Sequence, residues 1–340
     1  MVSLPKSYKS AVFNKPNTSL ELIDVDRQRP GPGHVLVKVL ACGICHSDAM
    51  VKAGMLPIQY PRVPGHEIIG TVVEVGEGVS SFAIGDRVDG GWHGGHDGTC
   101  RQCQKGQFQI CENAVANGIT TDGGYAEYVL LRSEAVVRVP MDADPAEYAP
   151  LLCAGVTVFN AMRKQNIPSG ELVAVQGLGG LGHLAVQYAN KMGFKVVAVS
   201  SGDQKREFAK TLGAHEYIDA PKEDICAKLM EMGGAAMIVA TAPNPVAISP
   251  STGGLQPRGH LLVLAAAGKV EIDTVHLLMK GASVSSYPSG HALDAEETIS
   301  FTRLHNVGCM VERFPLKDVQ KAWEHALSPN VRFRSVLVME

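Results

Sequence analysis

The stretch Gly177-Leu178-Gly179-Gly180-Leu181-Gly182 constrains the fold more than any other part of the chain. An apolar run at 171–177 leads into glycines spaced G-x-G-x-x-G, and apolar residues at helical spacing follow as far as Gly193. In such a turn the first glycine permits the bend, the second lets backbone approach a pyrophosphate, and the third lets helix pack on strand. The free N–H groups and positive dipole at the helix start then face the anion. By itself the spacing also fits a structural turn in a nucleotide-free domain, so its surroundings carry the weight. Beyond it come a strand at 194–200, a helix at 204–213, a short strand at 216–220, a helix at 224–234, and strands at 235–242 and 260–266. That alternation implies βαβ crossovers and a doubly wound parallel sheet, an α/β fold that binds a dinucleotide.

Which dinucleotide is read at the end of the second strand. An acidic residue there would bond the ribose 2′-hydroxyl of NAD and repel a 2′-phosphate. The strand ends instead on Ser200-Ser201-Gly202-Asp203-Gln204-Lys205-Arg206. Hydroxyls and cations suit a phosphate dianion, so Ser200, Ser201, Lys205 and Arg206 favour NADP, with NAD as the alternative. An ordinary solvated helix face is the other reading of Lys205 and Arg206.

Upstream the texture differs. Short alternating runs at 8–13, 20–25, 34–41, 68–76, 86–91, 125–131 and 135–140, separated by Asn, Pro and Gly, read as antiparallel strands. A helix is expected over 294–308 and a last strand over 331–339. With 340 residues, two domains are expected: a mostly β domain of 1–154 rejoined by 288–340, and a dinucleotide-binding domain of 155–287. Lys and Arg total 31 against 34 Asp and Glu, a formal charge of −3. Such a balance gives no electrostatic pull towards nucleic acid or an anionic membrane. No apolar run approaches the roughly 18 residues of a membrane span, and the start lacks a secretory pattern, so a soluble, cytoplasmic chain is expected.

Five of the eight cysteines fall in two close clusters, which without a secretory signal points to metal ligands or catalytic thiols rather than disulfides. The first cluster is Cys42-Gly43-Ile44-Cys45-His46-Ser47-Asp48, with Gly65-His66-Glu67 and Cys153 further on. Two thiolates and an imidazole from three distant places make a zinc set with one position open, the catalytic kind. A redox pair remains the alternative for Cys42 and Cys45, and a hydrogen-bonded core residue for His66.

The segments at 42–48 (CGICHSD), 64–79 (PGHEIIGTVVEVGEGV), 84–88 (IGDRV), 151–161 (LLCAGVTVFNA), 177–189 (GLGGLGHLAVQYA) and 332–338 (RFRSVLV) stand in a telling order. With them the chain resembles the zinc-dependent medium-chain alcohol dehydrogenases, the yeast and bacterial branch in particular. The resemblance implies a Rossmann domain and a GroES-like catalytic domain with the active site in the cleft between them, in a homodimer or homotetramer. It implies reversible hydride transfer between NADP(H) and primary or secondary alcohols, with their aldehydes or ketones. By position, Cys45, His66 and Cys153 would hold the catalytic zinc, with Cys42 a buried neighbour. Glu67 would be the acid beside the metal, Asp48 the carboxylate orienting His66, and Ser47 the hydroxyl that bonds the substrate oxygen and passes its proton. His46 and Arg334 would contact cofactor phosphates, as would the loop Gly177, Gly179, Gly180, Leu181 and Gly182.

The family's structural zinc uses four cysteines. Here Asp97 stands first, before Cys100, Cys103 and Cys111. Carboxylate oxygen is an acceptable zinc ligand, His96 could substitute, and a metal-free loop is the third possibility. Met50 occupies the place of the yeast-type relay histidine, and 51–56 lacks the tryptophans of ethanol-specific relatives, so bulkier substrates are expected, with Trp92 as a remaining wall. Two other readings compete. A NAD-dependent alcohol or polyol dehydrogenase is one; the polyol type usually has Glu in place of Cys153. A catalytically silent dinucleotide sensor would be expected to have lost a zinc ligand or Ser47.

Overall fold

The alternating run His34–Gly43 buries most of its side chains and becomes the spine of a mixed sheet. A computed structural model describes residues 4–56, 58–328 and 330–339. The chain forms two compact units. One takes the residues up to Cys153 with Gly290–Phe301 and those from Gly308 onward; the other takes Ala154–Ser289 and Thr302–Val307.

In the first unit the sheet order is Val311–Pro315, Arg334–Val338, His34–Gly43, Ile68–Val75, Arg87–Gly90, and Tyr128–Arg132 also pairs with His34–Gly43. The register sets Cys42 opposite Ile68 and Gly43 opposite Val336, both antiparallel. Three chain segments therefore meet at one end of the sheet. There the Gly43 N–H donates to the Glu67 carbonyl at 3.0 Å and the Ile44 N–H to the Ser335 carbonyl at 2.9 Å. Val35, Val37, Val39, Ile68 and Val88 form the core beneath, closed by Trp323 of the helix Val319–Ala326.

Asp89, in the strand Arg87–Gly90, is 1% exposed. Its Oδ1 accepts the Val137 N–H at 2.9 Å, while Oδ2 has no partner among the described residues. Burial pushes its pKa up to about 8, against the Val137 hydrogen bond and with help from Glu296. The folded state therefore binds a proton that the unfolded chain, titrating near about 3.9, has lost at neutral pH. That contribution to stability is complete below about pH 4 and disappears as pH rises through about 8, at up to about 1.4 kcal/mol per pH unit. Asp89→Asn keeps the neutral shape, so its melting temperature should exceed the parent's by a margin that widens from pH 5 to pH 8. Parallel pH profiles would contradict the assignment.

In the second unit six parallel strands stand in the order Glu216–Asp219, Lys195–Ser200, Leu172–Gln176, Ala235–Ala240, Leu255–Val263, Ser283–Ser285. Numbered along the unit this is 3-2-1-4-5-6, the doubly wound order of dinucleotide-binding sheets. Its switch point lies between Leu172–Gln176, which runs into the glycine loop, and Ala235–Ala240. The edge strand Ser283–Ser285 and the helix Thr274–Lys280 escape a reading of the sequence, because neither buries a face that would impose a period. Among the described residues no helix is long and apolar enough to cross a membrane.

Candidate active site and metal centres

Where the three segments converge, ligand atoms of Cys45, His66, Glu67 and Cys153 all lie within 4.8 Å of one another. Cys45 comes from the turn after His34–Gly43, His66 and Glu67 immediately precede Ile68–Val75, and Cys153 ends the turn Ala149–Leu152. His66, Glu67 and Asp48 are fully buried. The Cys45 and Cys153 sulfurs are 3.6 Å apart, far from a disulfide and close to the roughly 3.8 Å edge of a tetrahedron with zinc–sulfur bonds of about 2.3 Å. Nδ1 of His66 faces Oδ1 of Asp48 at 3.0 Å, near enough for an ion pair though off the hydrogen-bond line. Nε2, on the other side of the ring, has no partner among the described residues.

The protonation balance suits a cation. A hydrogen bond from Cys153, with help from His66, holds the Cys45 thiol well below its usual range, and that same bond pushes Cys153 well up. Burial pulls His66 down, but Asp48 and Cys45 outweigh it and raise it well above normal. A divalent ion bound by these donors would displace the protons they share. Burial pushes Glu67 up to about 7, against the neighbouring Arg334, whose Nη2 donates to Glu67 Oε1. Gly43 makes room for this carboxylate, since a Cβ there would strike it. Ser47 Oγ lies 3.6 Å from the Cys45 sulfur, and His46 beside it is exposed. The Trp92 ring meets His66 edge-on, with centroids 4.9 Å apart.

A second cluster joins Asp97, Cys100, Cys103 and Cys111, again within 4.8 Å. Cys100 and Cys111 sulfurs are 3.8 Å apart, the same tetrahedral edge. Asp97 Oδ1 accepts the N–H groups of Thr99 and Cys100 at 2.7 and 2.9 Å, and Oδ2 accepts from Asn113 at 2.7 Å, which fixes the carboxylate towards the thiols. His96 stands apart. Its ring stacks on Phe108 at 4.1 Å, and its Nδ1 lies 3.2 Å from Nε2 of His93.

In the other unit the glycine loop has the expected anatomy. Gly177 has φ +99°, a left-handed conformation that disfavours other residues. A Cβ on Gly182 would lie 1.8 Å from the Gly177 carbonyl, whereas one on Gly179 would meet nothing within 4 Å. The third glycine thus permits close packing and the second leaves space for a ligand. No side chain caps the N-terminus of Gly182–Lys191, and the Thr241 hydroxyl, just past the fourth strand, bonds the Gly177 carbonyl at 3.1 Å. Ser200 ends Lys195–Ser200 with Lys205 Nζ 3.4 Å from its Oγ. Arg206 is already engaged: it donates to Asp203 at 2.9 Å and to the Tyr217 carbonyl at 2.9 Å, and lies over the Tyr217 ring.

Residues 31–141 match the alcohol dehydrogenase GroES-like domain, and 180–303 the zinc-binding dehydrogenase domain. The alcohol dehydrogenase patD of Penicillium expansum is 52% identical over 335 residues, 98% of each chain. This chain belongs to the zinc-dependent medium-chain alcohol dehydrogenases. It is therefore an oxidoreductase acting on alcohols. Solved structures similar to this chain include complexes with either nicotinamide cofactor. Acetophenone reductase from Geotrichum candidum in complex with NAD is 28% identical with a TM-score of 0.87, covering 99% of this chain and 98% of that one. A zinc-binding dehydrogenase from Sinorhizobium meliloti bound to NADP is 26% identical with a TM-score of 0.89, covering 98% and 100%. Neighbours with both cofactors thus surround this dehydrogenase.

Reading its sequence missed two neighbours of the cluster. The Arg334–Glu67 pair joins residues 267 apart, and no local pattern could reveal it. Tyr125, fully buried, donates its hydroxyl to Asp48 Oδ2 at 2.8 Å.

Proposed function

We propose that this alcohol dehydrogenase prefers NADP(H) and interconverts bulky aldehydes or ketones with their alcohols at a zinc held by Cys45, His66 and Cys153. The observation that carries the reading is the buried donor cluster, in which Nε2 of His66 has no partner among the described residues and two sulfurs sit a tetrahedral edge apart. Zinc bound there would supply a Lewis acid for the carbonyl or alcohol oxygen. Asp48 orients the His66 ring, and the Glu67–Arg334 pair balances charge behind it. Ser47 exchanges the proton with the substrate oxygen. With Met50 in place of a relay histidine, the exposed His46 beside Ser47 would carry the proton towards solvent.

Gly177, Gly179, Gly180, Leu181 and Gly182 would hold the pyrophosphate at the start of Gly182–Lys191. For the 2′-phosphate, Ser200, Ser201 and Lys205 carry the reading, because Asp203 and Tyr217 already engage Arg206. The absence of tryptophan from 51–56 supports a roomy pocket, with Trp92 against His66 as one wall. A homo-oligomer is supported by Val275, Leu278 and Met279, which are 66–80% exposed near the free edge of the sheet. The test is a panel of aliphatic and aromatic aldehydes and ketones, run with NADPH and NADH. Expected is a higher kcat/KM for NADPH throughout and for aromatic substrates over acetaldehyde; the reverse order would refute the cofactor or the pocket reading respectively.

Asp97, Cys100, Cys103 and Cys111 would hold a structural zinc. Asp97→Ala should then lower the zinc content from about two ions per chain to about one and the melting temperature by several degrees, with kcat/KM little altered. Asp97→Cys should keep both metal and stability. An unchanged zinc content in Asp97→Ala would count against the site.

A further inference from the structure

We infer that Tyr125 is a positioning residue for the catalytic metal: its hydroxyl fixes the Asp48 carboxylate in the orientation that aims His66. The inference rests on the zinc reading above. Asp48 is fully buried, so no water can replace a lost donor. Its Oδ2 accepts from the Tyr125 hydroxyl at 2.8 Å and from the Cys45 N–H at 3.0 Å, which leaves Oδ1 turned towards Nδ1 of His66. A carboxylate held at one oxygen by two donors from different segments cannot rotate about its own axis without breaking both bonds. The same carboxylate thereby joins the segment that carries Cys45 to the ring of His66.

Tyr125 is itself anchored to the segment that delivers His66. Its N–H donates to the Pro64 carbonyl at 3.1 Å, and the Gly124 N–H donates to the Gly65 carbonyl at 3.0 Å. Its ring lies so close to Gly65, which has φ +102°, that a Cβ there would come within 2.4 Å of it. The backbone, ring and hydroxyl of one residue therefore contact the segments that carry His66 and Cys45. Packing alone would be served as well by phenylalanine. Among the described residues the hydroxyl has one bonding partner, and that partner faces His66.

Tyr125→Phe keeps the ring and removes the hydroxyl. Groups that bond a ligating histidine typically contribute 10–100-fold to metal affinity, and Tyr125 acts through such a group, so zinc should pass from the holoenzyme to a chelator several-fold faster, up to about 10-fold. The visible bands of the cobalt-substituted enzyme should shift as His66 reorients, while the melting temperature of the metal-free protein stays put. Unmoved cobalt bands, an unchanged release rate, or faster release that merely follows a lower melting temperature would each overturn the inference. Should the parent protein hold no zinc at Cys45, His66 and Cys153, the proposed function itself fails, which is a separate result.

Discussion

Cys45→Ser and His66→Ala should each abolish turnover and remove about one zinc per chain while leaving NADPH binding intact. The three donors come from three separate stretches of chain, so loss of one leaves two that cannot hold a dication against competing ligands. Lewis-acid stabilisation amounts to several kcal/mol, and at about 1.4 kcal/mol per tenfold its loss costs about a thousandfold or more in kcat. The two variants should differ in stability. Serine nearly matches cysteine in size and keeps the N–H that bonds Asp48. Alanine at position 66 opens a cavity and leaves Oδ1 of the buried Asp48 without the ring it faces, so its melting temperature should fall further. NADPH binding, followed by nucleotide fluorescence, should survive in both because the glycine loop belongs to the other unit. Turnover at the parent rate in either variant would contradict the ligand assignment.

Ser200→Asp should reverse the cofactor preference. The new carboxylate would stand where a 2′-phosphate is expected, adding like-charge repulsion of several kcal/mol. It would also lie within reach of Lys205, whose Nζ is now 3.4 Å from Ser200 Oγ, and so occupy the cation that the phosphate needs. Both effects act against NADPH, and the carboxylate can accept a hydrogen bond from the free 2′-hydroxyl of NADH. The expected fall in kcat/KM for NADPH is about 100-fold or more, with a gain for NADH. Lys205→Ala should weaken NADPH alone, and Arg206→Ala should do less, since Asp203 and Tyr217 hold that guanidinium. A parent enzyme that already prefers NADH would show the two cations to be a solvated helix face.

These two sites were legible in the sequence to different depths, for physical reasons. The glycine loop is a local device: strand, turn and helix are contiguous, and each glycine answers a steric demand that the fold then displays at Gly177, Gly179 and Gly182. The donor cluster of Cys45, His66 and Cys153 was legible as residue types at family positions. Its geometry was not, because it depends on the register that sets Cys42 opposite Ile68 and Gly43 opposite Val336. For the same reason Arg334, read as a phosphate contact, gave no sign of its pairing with Glu67, and Tyr125 passed as an ordinary strand residue. His96 and Asp97 are adjacent, and only the fold separates them, by stacking His96 on Phe108 while Asp97 turns to the thiols. The strand Ser283–Ser285 is short and largely exposed, so no apolar pattern marked it.

Metal dependence of hydride transfer tests the central claim most directly. NADPH oxidation by an aromatic aldehyde is followed in protein stripped of metal and then titrated with zinc. Activity should be absent at the start and rise with zinc until the set formed by Cys45, His66 and Cys153 is filled, whereas full activity in the metal-free protein would contradict the mechanism outright.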